Sequence, residues 1–353
     1  MKKILYIDAH SQKGHINFNR IYLSALQKTS CDIHIVFKKG YLDLCEEFSN
    51  AKSELVLPDW LYPKSSGKLS SRFFLLLQLL YIKRNIDFSQ YDYVFLSSYE
   101  EISLFFAGIK TKMYLINHDN ARGFDSKIKT FFLKHISKYH THIVFMDYIK
   151  QRFIENGIED VMVIPHGLLR PYVVPDTDQF AILKQLDSRL VSKEYNYILF
   201  SPSILSDEQQ LISILSNQTF NDYLKAKHIL FVVRNKISNL AANNILFISD
   251  YLTNYQYQSL FMASTAIVIC YPESFKYRVS GVLFECFANN KLCFVSELPA
   301  LKAFKPYFMY NPYFINTQDL IIRMDEILGF DLYTKKLFTK TATLHPNFVD
   351  FCK

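Results

Sequence analysis

Residues 271–296 read YPESFKYRVSGVLFECFANNKLCFVS and place an acid inside an apolar helix. Ser280 and Gly281 can start that helix, Val282, Leu283, Phe284, Cys286, Phe287 and Ala288 continue it, and the Asn289-Asn290 pair ends it before a strand beginning near Leu292. Glu285 is the misfit. A carboxylate among Phe284, Cys286 and Phe287 is costly to bury unless something is bonded to it, and the hydroxyl pair of a ribose is one partner that satisfies it. One turn upstream, the N–H groups of Ser280 to Val282 form an anion site, with Lys276 and Arg278 adding positive charge. A diphosphate at the helix end and a ribose one turn along it together describe a bound sugar nucleotide. The plainer alternative is a surface helix whose Glu285 is solvated or paired with a lysine.

Other polar residues fall where strands end. The loop DAHSQKGH follows a strand over Lys3–Ile7, and such a loop is where an open α/β sheet puts ligand contacts; it holds Gly14 and His15. SSYEE, with Glu100, follows a strand over Tyr91–Ser97, although acids at helix N-termini are also common for structural reasons. NHDNARG, with His118 and Asp119, follows a strand over Lys112–Asn117, and an Asx turn also explains Asp119 and Asn120. PHG at 165–167 makes a bend that carries His166. In the second half, Ser201 or Ser203 of SPSILSDEQQ could donate to phosphate, and Arg234 ends a strand over His228–Val233.

These residues need a scaffold. The 353 residues are long enough for two domains, and 50% of them are hydrophobic, which supplies a sizeable core. Strand and helix alternate throughout, as a parallel-sheet architecture requires. Helices are expected over Ile16–Leu26, Leu42–Phe48, Asp147–Asn156, Ala181–Leu190, Tyr255–Met262, Thr317–Leu328 and Leu332–Thr341, with a short one in Glu297–Phe304. Further strands are expected over Asp32–Phe37, Glu54–Leu57, His142–Phe145, Val161–Ile164, Tyr197–Phe200, Ile245–Ile248, Ala266–Cys270 and Lys291–Val295.

Composition excludes some partners and leaves others. A net charge of +7 permits nucleic acid, an anionic small molecule or an anionic membrane surface. No dense Lys/Arg run, zinc-finger spacing or RNA-binding aromatic motif is present, so nucleic acid is not expected. The 24 Tyr and 31 Phe are dispersed through core segments, where packing accounts for them. The six cysteines show no metal spacing and suit a reducing cytosol. MKKILYIDAH reads as a first strand and not a signal peptide, and no run of apolar residues is long enough to span a membrane. LSSRFFLLLQLLYIKR, from Leu69, is apolar over more than one stripe with basic ends, so it is either buried or lies at a membrane interface. The helix over Ser126–Tyr139 adds a second basic amphipathic surface through Lys127, Lys129, Lys134 and Lys138.

RVSGVLFECFANNKLCFVS resembles the donor-binding segment of nucleotide-sugar-dependent GT-B glycosyltransferases, in particular the group 1 enzymes of bacterial surface polysaccharides. Glu285 falls on the second, ribose-binding member of a glutamate pair found in many retaining relatives. Tyr277 stands where the first would be, and Glu273 lies further upstream. THIVFMDYIKQRFIENGIEDVMVIPHG resembles the segment by which GT-B proteins leave their first domain. The resemblance implies two Rossmann-like α/β/α domains facing across a cleft: an acceptor-binding domain over 1–170, a linker over 171–195 and a nucleotide-sugar domain over 196–353, the last helix packing back on the first domain.

The same resemblance assigns roles. Arg278 stabilises the leaving group with Lys276 and Arg234, while Ser201, Ser280, Gly281, Val282 and Glu285 bind the donor. His118 and Asp119 form the acceptor-side catalytic pair, with Gly14, His15, Glu100 and His166 nearby. No cofactor and no metal is implied, only a UDP- or GDP-linked donor as substrate. The implied acceptor is a lipid-linked glycan or other saccharide of a lipopolysaccharide or capsule pathway, met in the cytoplasm at the inner membrane face. Retaining and inverting chemistry both stay open. The alternatives are a nucleotide-sugar epimerase of the same fold, for which carboxylates and histidines look sparse in the relevant segments, and a membrane-attached scaffold without catalysis.

Overall fold

The computed structural model describes the chain apart from residues 12–14, 42–50, 64–67, 169, 204–206, 236–239, 241, 250, 329–335 and 352–353. Gly14, the helix expected over Leu42–Phe48 and the first part of the helix expected over Leu332–Thr341 lie outside the described residues. The chain divides into two compact units, one of Met1–Gly167, Tyr277–Val279 and Ala342–Lys353, the other of Leu168–Lys276 and Ser280–Thr341.

Unit 1 is built on a parallel sheet. Its strands are β1 (Lys3–Ile7), β2 (Asp32–Lys38), β3 (Lys52–Leu57), β4 (Tyr93–Leu96), β5 (Tyr114–Ile116), β6 (Thr141–Val144) and β7 (Val161–Val163), in the order β3-β2-β1-β4-β5-β6-β7. Ile4 lies between Ile33 and Tyr93 in register. Helices α1 (Ile16–Gln27), α2 (Lys68–Asn85), α3 (Glu101–Ala107), α4 (Lys127–Ile136) and α5 (Asp147–Glu155) connect the strands. Strands buried on both faces read as unbroken apolar runs, and β1 and β6 are buried nearly end to end. The chain runs outward from β1 in one direction, then returns to β4 and runs the other way, so the ends of β1 and β4 form the topological switch where such sheets take ligands. The core under α1 joins Phe18, Tyr22, Leu23 and Leu26 to Phe348 and Phe351 of the C-terminal segment.

Unit 2 repeats the plan. Strands β8 (Tyr197–Ser201), β9 (Ile229–Val233), β10 (Ile245–Phe247), β11 (Ala266–Ile269), β12 (Cys293–Ser296) and β13 (Tyr313–Phe314) pair in parallel in the order β10-β9-β8-β11-β12-β13. Around them lie α6 (Asp176–Leu186), α7 (Glu208–Leu215), α8 (Gln218–Ala226), α9 (Asn254–Ala263), α10 (Gly281–Ala288), α11 (Pro299–Lys302) and α12 (Thr317–Leu328). The expected helix over 332–341 is corrected where it is described: Phe338 bridges to Phe308 as an extended residue, and the 3₁₀ turn starts only at Thr341. Cys270, Cys286 and Cys293 are buried free thiols of the core. Cys31 is disulfide-bonded, against the expectation of thiols alone.

Candidate active site

The ends of β1, β4, β5 and β7 gather titratable side chains in unit 1. Asp8 leaves β1 fully buried and is held by the Ser11 amide at 2.9 Å and the Asn19 side-chain amide at 2.7 Å. It fixes the loop that brings His15 to the start of α1. His15 stacks on His118 at 4.7 Å between ring centres, and Phe18 and Phe145 pack edge-on against His118. Phe18 and Phe145 also flank His166, both at 5.1 Å. Gly167 follows with φ of +91°, and a Cβ there would run into Ile21 and Pro346, so only glycine completes this turn. Tyr22 donates to the carbonyls of Ile164 and Pro165 and holds the same turn from α1.

His118 is held as a neutral imidazole. Its Nε2 lies 2.9 Å from the Ser97 carbonyl, which can only accept, so Nε2 carries the proton and the lone pair is at Nδ1. Burial pushes its pKa well below the usual value, with His15 and His166 adding repulsion, so the ring is neutral at pH 7. Burial likewise lowers His166 to about 4. Behind the site, Tyr99 donates to the Asn117 side chain at 2.5 Å and also contacts His142, and Asn117 itself bonds the Ile143 carbonyl. This network fixes the end of β5 from which His118 and Asp119 project.

Asp119 is half-exposed, caps no amide with its side chain, and faces the Arg278 guanidinium at 3.5 Å. Burial raises its pKa, opposed by Arg278 and Arg122. Arg278 thus groups with unit 1, paired with Asp119. Glu100 is spent on structure: it caps α3 through Ser103 and pairs with Arg72 at 3.0 Å. Glu101, fully buried, holds Lys129 at 2.5 Å. The expectation that histidines and carboxylates are sparse here is corrected, because Asp8, His10, His15, His118, Asp119 and His166 converge from three strand ends. Asp8 and His10 were missed as candidates. Their one sequence signal is a D-A-H run leaving the first strand.

Unit 2 holds a different set. Ser280 caps α10 by accepting from the Leu283 amide at 3.0 Å, and its hydroxyl also meets Tyr271 at 3.0 Å. Its side chain is thus engaged, which leaves the amides of Gly281 and Val282 as the anion donors of this terminus. A Cβ on Gly281 would meet nothing within 4 Å, so there is open space at this helix end. Glu285, one turn along, accepts from the Tyr257 hydroxyl at 2.6 Å and from Tyr172. Burial raises its pKa to about 7 and the two phenols oppose that rise. Neither tyrosine was legible as a partner, and they answer the burial problem that the sequence posed. A carboxylate has about four acceptor positions, so two phenols leave room for a diol.

Ser201 and Arg234 end β8 and β9 side by side, the Arg234 amide donating to the Ser201 carbonyl at 3.0 Å. Ser201 Oγ and Arg234 Nε are both buried without a hydrogen-bond partner, and the guanidinium lies 5.8 Å from the Tyr251 ring. Lys276 reaches toward Glu273 at 3.9 Å. Among the described residues no group of three or more His, Cys, Asp or Glu is placed to hold a metal ion.

Two parallel sheets, each flanked by helices, are shared with solved structures over the whole chain. Anabaena HepE in complex with UDP-glucose matches with a TM-score of 0.64 at 14% identity, covering 100% of this chain and 97% of that one. The fold is GT-B. UDP-GlcNAc 2-epimerase from Methanocaldococcus jannaschii matches with a TM-score of 0.57 at 13% identity over 100% and 98% of the two chains. The UDP-forming α,α-trehalose-phosphate synthase of Burkholderia vietnamiensis matches at 0.56 and 14% over 100% and 97%. No family model matches the chain, and no curated protein matches it in sequence. The expected GT-B architecture is thus observed, while these GT-B structures span a synthase and an epimerase and do not single out the group 1 transferases.

Proposed function

We propose that the protein is an enzyme acting on a nucleotide sugar, with UDP as the first nucleotide to try because the GT-B structures it resembles include UDP complexes. Glu285 carries this reading: a carboxylate one turn inside a capped helix whose terminal amides open onto free space, the arrangement that takes a diphosphate and a ribose together. Ser201 and Arg234, each with an unpartnered buried polar atom, supply further phosphate donors in unit 2.

In a transfer, His118 Nδ1 takes the proton of an acceptor hydroxyl as its oxygen bonds the anomeric carbon and the carbon–phosphate oxygen bond breaks. The nucleoside diphosphate leaves with its charge met by Arg234 and the amides of Gly281 and Val282. Arg278 keeps Asp119 ionised beside His118. The acceptor fitting this reading is a saccharide, free or lipid-linked, of a surface polysaccharide.

Epimerisation is the second reading, and a specific observation favours it. The acids and imidazoles in unit 1 suffice for proton abstraction and return at a sugar carbon, and UDP-GlcNAc 2-epimerases recur among the GT-B structures. NMR of UDP- and GDP-sugars incubated with the protein in D₂O separates the two. Transfer releases nucleotide only when an acceptor is added. Epimerisation proceeds without one and puts deuterium on the sugar. No change in any nucleotide sugar, with or without saccharide acceptors, contradicts both.

A further inference from the structure

Helices α2, α3 and α4 of unit 1 lie side by side. α2 crosses from the edge strand β3 to β4, and α3 and α4 join the neighbouring pairs β4–β5 and β5–β6, all in one direction across the sheet, so right-handed crossovers place the three on the same face, opposite α1. Ser103 on α3 bonds the Arg72 carbonyl on α2, and Lys83 at the end of α2 bonds the carbonyls of Ala107 and Gly108 at the end of α3. Phe105 of α3 packs on Phe132 of α4 at 4.8 Å. Inward, Leu75, Leu79, Ile82, Leu104, Leu133 and Ile136 are buried.

Outward, the same helices expose large apolar side chains. Phe73 is 57% exposed, Phe106 and Phe131 are each 60% exposed, and Ile128 67%. Trp60, 63% exposed, stands beside Tyr81 of α2. Rings this exposed on three adjacent helices form a patch larger than scattered surface residues explain. The charge around it is predominantly positive. Neither α2 nor α4 contains an acid, and the acid of α3, Glu101, is buried against Lys129. Arg84, Lys110, Lys127, Lys134 and Lys138 are exposed around the apolar surface. The exposed acids nearest in sequence are Asp59, beside Trp60 and paired with Lys38 at 3.3 Å, Asp87, and Asp125, paired with Arg152 at 3.0 Å.

We propose that the α2–α3–α4 face docks on an anionic lipid bilayer, with Phe73, Phe106, Ile128 and Phe131 entering the acyl boundary and the surrounding lysines and arginine at the headgroups. Aromatic side chains at the interface and basic residues around them are the two contributions that hold a monotopic surface to charged lipid. Among the described residues no helix is long and apolar enough to cross a membrane, so attachment is to one leaflet. Lys129 takes no part, because it is committed to Glu101. This surface stands apart from the nucleotide-sugar reading, and its test contains no nucleotide.

The test is flotation of the full chain with vesicles of phosphatidylcholine, with and without phosphatidylglycerol, at low and high salt. The wild type is expected to float with the anionic vesicles and to be partly released by salt. Phe106→Ser with Phe131→Ser should abolish flotation while the melting temperature is kept, since both side chains are exposed. Lys127→Glu with Lys134→Glu should weaken it by about fivefold or more per lysine and reduce the salt dependence. No flotation of the wild type, or equal flotation of the phenylalanine variant, overturns the proposal. So does self-association in sedimentation velocity that the phenylalanine variant loses, because the face is then covered by a second copy.

Discussion

The two units share one architecture and solve opposite electrostatic problems. Unit 1 buries imidazoles: His118, His140, His142 and His166 all have their pKa pushed down by burial, the last three to about 4, 3 and 4. Unit 2 buries a carboxyl, Glu285, whose pKa burial pushes up to about 7 against the opposing hydrogen bonds of two phenols. Each environment disfavours charge, so unit 1 keeps neutral bases at neutral pH, and unit 2 keeps an acid poised to accept hydrogen bonds. The same sheet topology thus carries neutral imidazoles at one switch point and a buried carboxyl beside a helix N-terminus at the other.

The largest effect should come from breaking the base. His118→Ala is expected to lower turnover by roughly 10²–10⁴-fold while leaving nucleotide affinity unchanged, which steady-state kinetics and a nucleotide titration measure together. Full turnover in this variant would place the proton acceptor elsewhere and dissolve the contrast between the units.

Acid sharpens the contrast. Below about pH 6.5 the unfolded chain protonates histidines that the folded chain keeps neutral, so unit 1 loses stability as pH falls from 6.5 toward 4. His166 alone contributes about 3 kcal/mol of that loss by pH 4. Glu285 acts in the opposite direction, because the folded carboxyl binds its proton more tightly than the unfolded one, so its contribution improves as pH falls from 7 to 4.5. Hydrogen exchange followed residue by residue between pH 7 and 4 should show protection lost first in β5 and β6 and last around α10. Uniform loss would contradict opposite responses. Glu285→Gln should remove the improvement in unit 2.

Much of this was legible in the sequence, and what was not has physical reasons. Strands such as β1 and β6 announce themselves as apolar runs because both faces are buried. The bounds of α10 follow from a serine that caps and an asparagine that ends it. Tyr257 was hidden because it reaches Glu285 from 28 residues away on another helix, and a tyrosine in a helix looks like core. Lys129 looked like surface charge in sequence, but its partner Glu101 lies on a different helix. Arg278 carried no sequence sign of its pairing with Asp119, because Tyr277–Val279 group with unit 1, where Tyr277 stacks on Tyr148 at 5.7 Å. The imidazole cluster combines residues from three strand ends, which no spacing along the chain records.

A smaller effect tests the tyrosines. Tyr257→Phe removes one hydrogen bond from Glu285 and should cost about 1–2 kcal/mol of stability, read by chemical denaturation, and raise the pH at which Glu285 ionises. An unchanged titration of Glu285, followed by carboxyl NMR, would mean that Tyr172 alone holds it.

The central claim is that unit 2 takes the nucleotide through Glu285. Calorimetric titration of UDP, UDP-glucose and UDP-GlcNAc into the wild type and Glu285→Ala tests it directly, with circular dichroism confirming that the variant is folded. Loss of charged hydrogen bonds to a diol predicts binding of at least one ligand to the wild type and a weakening of about 10- to 100-fold in the variant. Equal affinity in the two folded proteins, or no binding to the wild type by UDP, GDP or their sugars, would contradict the account.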